Sequence, residues 1–184
     1  MSTISNLGYA LVFQAGWFVC IMAGSFAAFL YTLIFLTIHF LFVFHRNTKS
    51  FARKEILWIV TISGFGLLIE IISFSFGLLY NKDKVILFSY LSLPPLWLLC
   101  IWITFSLVLR TCLAFLFTKP LISYLLLLVF VPVNYYAGAE LNKDVAINEP
   151  YLLSLSLITL MWLLFFWCSN YLKRRYFEEL FNAH

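Results

Sequence analysis

Apolar residues fall into six runs along the chain, at about 7–23, 25–44, 56–80, 92–117, 121–139 and 150–172, and polar residues gather in the short gaps between them. Alternation of the β type is absent. The runs are long and continuous, as expected of helices whose surroundings are apolar on every side. At ~1.5 Å per residue, about 20 residues cross a ~30 Å hydrocarbon layer, so each run is long enough to span, the first and fifth only narrowly. The first two are separated only by Ala23-Gly24-Ser25. Their combined length is too great for one crossing, and a tight helical hairpin is expected there.

The stretch Leu93–Phe117, LPPLWLLCIWITFSLVLRTCLAFLF, is the one the other runs are expected to pack around. It opens on a proline pair and carries a single charge, Arg110, in otherwise apolar sequence. As one helix it would be about 37 Å long. A charge held in hydrocarbon either snorkels to the headgroups or marks a site with a partner elsewhere in the chain.

Composition agrees with the pattern. Hydrophobic residues make up 64% of the chain and charged residues 11%, and mean hydropathy is +0.98. A soluble domain carries about 25% charged residues, so this chain cannot cover a water-facing surface. The net charge of +4 comes from basic residues in short gaps, not from a stripe, which argues for membrane topology and against nucleic acid. The expected fold is all-α: a single integral membrane domain, 1–184, forming a multi-pass transmembrane bundle of about six spans. With six crossings, Arg46, Lys49, Arg53, Lys54, Lys119, Lys173, Arg174 and Arg175 share one side, while Lys82, Lys84 and Lys143 lie on the other. The positive-inside rule then places both termini in the cytoplasm.

Polar residues within the runs sort by depth into two layers. Gln14 and Arg110 are expected roughly 10 Å from the inner face and His39 roughly 7–8 Å, with Asn6 at the inner mouth. In this layer Gln14 or a neutral His39 is expected to accept from the Arg110 guanidinium. Glu70 and Asn134 fall roughly 20 Å from the inner face, and Tyr136 follows as the chain leaves the membrane. Glu70 is read as the only acid well inside a span. Its depth argues against a direct pair with Arg110, and a carboxyl without a cation beside it in hydrocarbon is expected to be held neutral. Each of these residues also has an ordinary structural explanation, as an interfacial anchor or an interhelical hydrogen bond.

Metal and cofactor chemistry find no support. Cys20, Cys100, Cys112 and Cys168 lie in apolar runs with no paired spacing. The metalloprotease, serine-hydrolase, phosphate-loop and dinucleotide motifs are all missing from the sequence.

Four segments carry a family resemblance: Asn6 followed by FQAGWF at Phe13–Phe18, the LPPLWLLCIWITF block, TCLAFL at Thr111–Leu116, and VPVNYYAGAEL at Val131–Leu141. Together they resemble the bacterial inner-membrane proteins catalogued as domain of unknown function 2878. The resemblance implies a multi-pass protein of the bacterial inner (cytoplasmic) membrane and brings no established activity. A polar uncharged residue is expected where this chain has Arg110, and an acid, often aspartate, at Glu70. Three functions follow. A non-catalytic component binding a lipid or a membrane-protein partner through its polar layers is favoured. The alternatives are a small permease or channel, and a lipid-modifying enzyme using Glu70, for example with Tyr136.

Overall fold

The computed structural model describes residues 3–46, 49–82 and 93–182. Lys84 and Ser92, counted above in an outer loop and in the fourth run, lie outside them. Six helices of 15 to 27 residues follow one another: α1 (Thr3–Met22), α2 (Gly24–Arg46), α3 (Lys49–Ser75), α4 (Leu96–Arg110), α5 (Pro120–Leu141) and α6 (Tyr151–Leu172). A wider turn of π geometry, Lys173–Phe177, leads from α6 into a short α7, Glu178–Asn182. Successive long helices run antiparallel. Thus Tyr9 of α1 meets His39 of α2, Trp58 of α3 meets Ser106 of α4, and Tyr124 of α5 meets Phe166 of α6.

The chain is a multi-pass helical membrane protein. Gly24–His45, Lys49–Ser75, Pro120–Leu141 and Tyr151–Phe181 are each long and apolar enough to cross a bilayer, while Asn6–Met22 and Leu96–Arg110 are apolar but shorter. Helix is the dominant element because a backbone in hydrocarbon must satisfy its own N–H and C=O groups. The outward faces are correspondingly oily: Phe26, Phe76, Leu121 and Leu152 are among the most exposed side chains.

Helix bounds depart from the apolar runs in two places that matter for the site. The run Leu93–Phe117 is not one long helix. Pro95 in extended conformation precedes α4, which ends at Arg110 after 15 residues, about 22 Å. Beyond it Thr111 Oγ1 donates to Leu107 O at 2.9 Å, and Leu113 N reaches Val108 O at 2.9 Å, tightening the chain into a turn. A turn of 3-10 helix, Ala114–Phe117, follows, and Ser123 Oγ fastens its Leu116 carbonyl at 2.6 Å. Arg110 therefore closes a helix and does not sit midway along one. Conversely, α3 starts seven residues before its apolar run, which draws Glu55 inside the helix.

The other ends are joined by a two-stranded antiparallel clasp, β1 (Leu79–Asn81) and β2 (Val145–Ile147), with Tyr80 opposite Ala146. Beside it, buried Asn142 ties three segments together. Its Nδ2 donates to Ile21 O at the end of α1 (2.7 Å), and its Oδ1 accepts from Asp144 N and Val145 N (2.8 and 2.9 Å). At the α1–α2 hairpin a single residue, Ala23, separates the helices, and Gly24 takes φ +81°, a conformation that favours glycine.

α4 is buried on nearly all sides, against α1, α2 and α3. Close approach to α3 depends on Gly66, where a Cβ would fall inside the indole of Trp102. Gly66→Ala should therefore lower the melting temperature in mild detergent by an amount equivalent to about 1–3 kcal/mol of overpacking. Gly64→Ala, two residues away with open space at its Cβ, should be neutral or slightly stabilising.

Candidate functional site

Burial of charge needs a partner, and the structure supplies one for Arg110 from an unexpected place. On α3 the buried positions Ala52, Glu55, Ile59, Ile62, Gly66, Ile69 and Ser73 recur at three- and four-residue spacing. Glu55 is thus carried inward on the same stripe as the core, with 0% exposure. Its Oε1 lies 2.5 Å from Arg110 Nη2 and 2.9 Å from His39 Nε2. The tautomer with the proton on Nε2 lets His39 donate to Glu55 while Nδ1 accepts from the Tyr9 hydroxyl at 2.7 Å. Four helices, α1 to α4, meet in this chain of polar contacts.

The C-terminal segment covers it. Arg110 Nη1 donates to Leu180 O at 3.4 Å, and the guanidinium carbon stands 5.7 Å from the centre of the Phe51 ring. Phe177 and Phe181 lie edge-on to Trp58, and Lys54 pairs with Glu179.

A second polar centre is built from α3, α4, α5 and α6. Glu70 Oε1 accepts from the Tyr135 hydroxyl (2.6 Å) and from Trp102 Nε1 (3.0 Å), and Trp162 Nε1 donates to the Tyr135 oxygen (3.1 Å). The Trp102 and Trp162 rings stack at 4.6 Å. Glu70 is 1% exposed, and its Oε2 has no hydrogen-bond partner among the described residues. It is 15 residues from Glu55 on α3, about 22 Å along the helix, and buried Trp58, Ile59 and Ile62 occupy the interval.

The Glu70 centre borders a cavity of about 610 Å³ between α1 and α5, with α4 as its back wall. Its lining runs from Ala139 and Val145 at the clasp end to Leu116 and Ser123 at the Arg110 end. Measured along α5, Ser123 to Ala139 is about 24 Å. The walls are almost wholly aliphatic and aromatic.

Sequence-derived candidates fall as follows. His39 and Arg110 come together on Glu55, an acid that directly follows the basic residues Arg53 and Lys54. Gln14 and Asn134 border the cavity with exposed side chains. The amide of Asn134 donates to Phe130 O at 2.7 Å on its own helix, beside Pro132. Asn6 keeps a buried Oδ1 without a hydrogen-bond partner among the described residues. The phenol on Glu70 belongs to Tyr135, whereas Tyr136, chosen by depth, is 48% exposed. Helical facing separates these neighbours by about 100°, and only one of them can point inward. Among the described residues no group of three or more His, Cys, Asp or Glu side chains is arranged to hold a metal ion.

A carboxylate shared by two buried partners is costly to disturb on one side only, since the remaining charge is left uncompensated. Glu55→Leu and Arg110→Leu should each destabilise the bundle by about 3–5 kcal/mol. The double variant should recover much of that loss in thermal unfolding in detergent. A double variant less stable than either single one would show that the two side chains act independently.

The family described as protein of unknown function (DUF2878) matches residues 6–168, nearly the whole chain. No curated protein and no solved structure matches it. The length of the family match, which takes in both polar centres and the cavity walls, identifies the chain as a member of the DUF2878 family.

Proposed function

We propose that this chain is a six-span protein of the bacterial inner membrane, with both termini cytoplasmic, that holds a lipid in the cavity between α1 and α5 without transforming it. The observation carrying this reading is the cavity itself: about 610 Å³, within the range of pockets that enclose small ligands, and bordered by a few polar groups on otherwise apolar walls. Apolar walls suit a hydrocarbon chain, and a few convergent polar groups fix its orientation. The six crossings rest on the six apolar runs, and their direction on the eight-to-three division of Lys and Arg.

Permeation fits less well. A channel needs a wet path joining the two polar centres, and Trp58, Ile59 and Ile62 fill the space between them along α3. An enzyme would draw on Glu70 and Tyr135 as an acid–base pair, since they are in hydrogen-bond contact. Yet Tyr135 and Trp102 both donate to the same carboxyl oxygen, which supports a fixed binding network more readily than a moving proton.

Two measurements test this reading. Protein extracted in mild detergent should carry a bound lipid by native mass spectrometry. Ala10→Trp, which projects into the cavity, should lose it, whereas Leu11→Trp on the exposed face of α1 should keep it. The same lipid content in wild type and Ala10→Trp would remove the cavity as the binding site. For orientation, in a chain whose native cysteines are replaced, Lys143→Cys should react with an impermeant maleimide in spheroplasts. Lys49→Cys should react only after lysis. The reverse pattern would overturn the assignment of sides.

A further inference from the structure

Charge within the cavity bounds what its occupant can be. Among the described residues, Glu70 is the only ionisable acid on its border, and no Lys, Arg or His side chain borders it. Arg110 is committed to Glu55, and Lys82 to the Asn142 carbonyl at the clasp (3.1 Å). A phosphate or carboxylate headgroup drawn into this space would be a buried anion with an acid for a neighbour and no counter-ion. That arrangement is strongly disfavoured in a medium of low dielectric constant.

Two orphaned polar atoms define what would be welcome. Glu70 Oε2 and Trp97 Nε1 are both buried, neither has a hydrogen-bond partner among the described residues, and both side chains border the cavity. Of the buried polar atoms without a partner, which include Glu55 Oε2 and the Ser63 and Ser169 hydroxyls, these two are the ones whose side chains border the cavity, where a ligand can complete them. Trp97 Nε1 can only donate, whereas Glu70 Oε2 accepts when ionised and donates when protonated. A group that both donates and accepts without net charge meets both needs, and a hydroxyl is the simplest.

Geometry places the rest of the molecule. Trp97 is the second residue of α4 and Glu70 lies five residues before the last of α3, so both belong to the clasp half of the bundle. From the level of Tyr135, which binds Glu70, the cavity continues along α5 to Ser123, about 18 Å, between walls that are apolar except for Gln14 and Ser123 and that end at Leu113 and Leu116. A volume of about 610 Å³ suits one hydrocarbon chain rather than two.

Resting on the cavity reading above, we infer that the ligand is a single-chain amphiphile with an uncharged, hydroxyl-bearing headgroup, of the long-chain alcohol or monoacylglycerol class. Its headgroup sits at Glu70 and Trp97, and its chain lies toward Leu116.

The test uses the full chain in nanodiscs of neutral lipid. Binding is read by quenching of tryptophan fluorescence with brominated chains of one length attached to glycerol, to a carboxylate or to glycerol phosphate. The monoacylglycerol should bind at least tenfold tighter than either anion. Trp97→Phe, which keeps the ring and removes the donor, should weaken monoacylglycerol binding about fivefold. Equal or tighter binding of the anions by the wild type overturns the headgroup assignment, and this comparison needs no variant to fold. If Ala10→Trp still lowers binding of all three ligands, the cavity reading survives that failure. If none of the three binds, or Ala10→Trp leaves all three unchanged, the cavity reading falls as well.

Discussion

The bundle depends on the burial of one carboxylate, that of Glu55, among groups from its neighbouring helices. Hydrophobic burial does little to choose between arrangements of oily helices in lipid, because lipid tails are as apolar as Leu. Polar pairs are more selective, because each misalignment strands a charge. Glu55 Oε1 receives Arg110 from α4 and His39 from α2, and Tyr9 of α1 is attached through the imidazole. This fixes the register of four helices at one end. The clasp and Asn142 fix the other end, joining α1 to α5 through Ile21 O. Between these two fastenings the contacts are mainly apolar, and that is where the cavity lies.

The middle of the molecule is governed by close approach. Gly66 allows the Trp102 indole to lie against α3, and that position brings Nε1 within 3.0 Å of Glu70, one helical turn further along. Trp162 stacks on Trp102 and donates to Tyr135, so α6 and α5 are set by the same rings. A glycine, two indoles and a phenol thus hold a carboxyl rigid at the edge of an apolar space. Rigid polar groups at the rim of a greasy cavity favour recognition, because little ordering remains to be done when a ligand arrives.

Much of the architecture was legible because hydrocarbon imposes simple rules. Run lengths gave the helices, and the short Ala23-Gly24-Ser25 gap gave the hairpin. Positions near run boundaries were harder. Glu55 sits directly after Arg53 and Lys54, where charge suggests a loop, yet the three- and four-residue spacing of Ile59, Ile62, Gly66 and Ile69 extends back to it and could have found it. Arg110 reads as a mid-helix residue because its run continues for seven residues after the helix stops. The apolar letters of TCLAFLF hide a turn made by Thr111 and the Val108 carbonyl. Tyr135 and Tyr136 have equal standing by depth, and only the phase of α5 separates them. The clasp was illegible for another reason: three-residue strands that pair across more than sixty positions leave no periodicity to read.

The two acids on one stripe of α3 illustrate how position decides role. Glu55 has a guanidinium and an imidazole on one oxygen, beneath Leu180 of the C-terminal segment, and Phe177 and Phe181 press on the adjacent Trp58. Its neighbours neutralise it and shield it, which suits a group that organises helices. Each acid leaves its Oε2 without a hydrogen-bond partner among the described residues, but Glu70 has only neutral donors and borders open space. With three bulky core residues between them and about 22 Å of helix, neither charge state is positioned to feel the other strongly. The Arg110 end can therefore hold the fold while Glu70 keeps an uncommitted oxygen beside the cavity, which is what the proposed lipid site draws on.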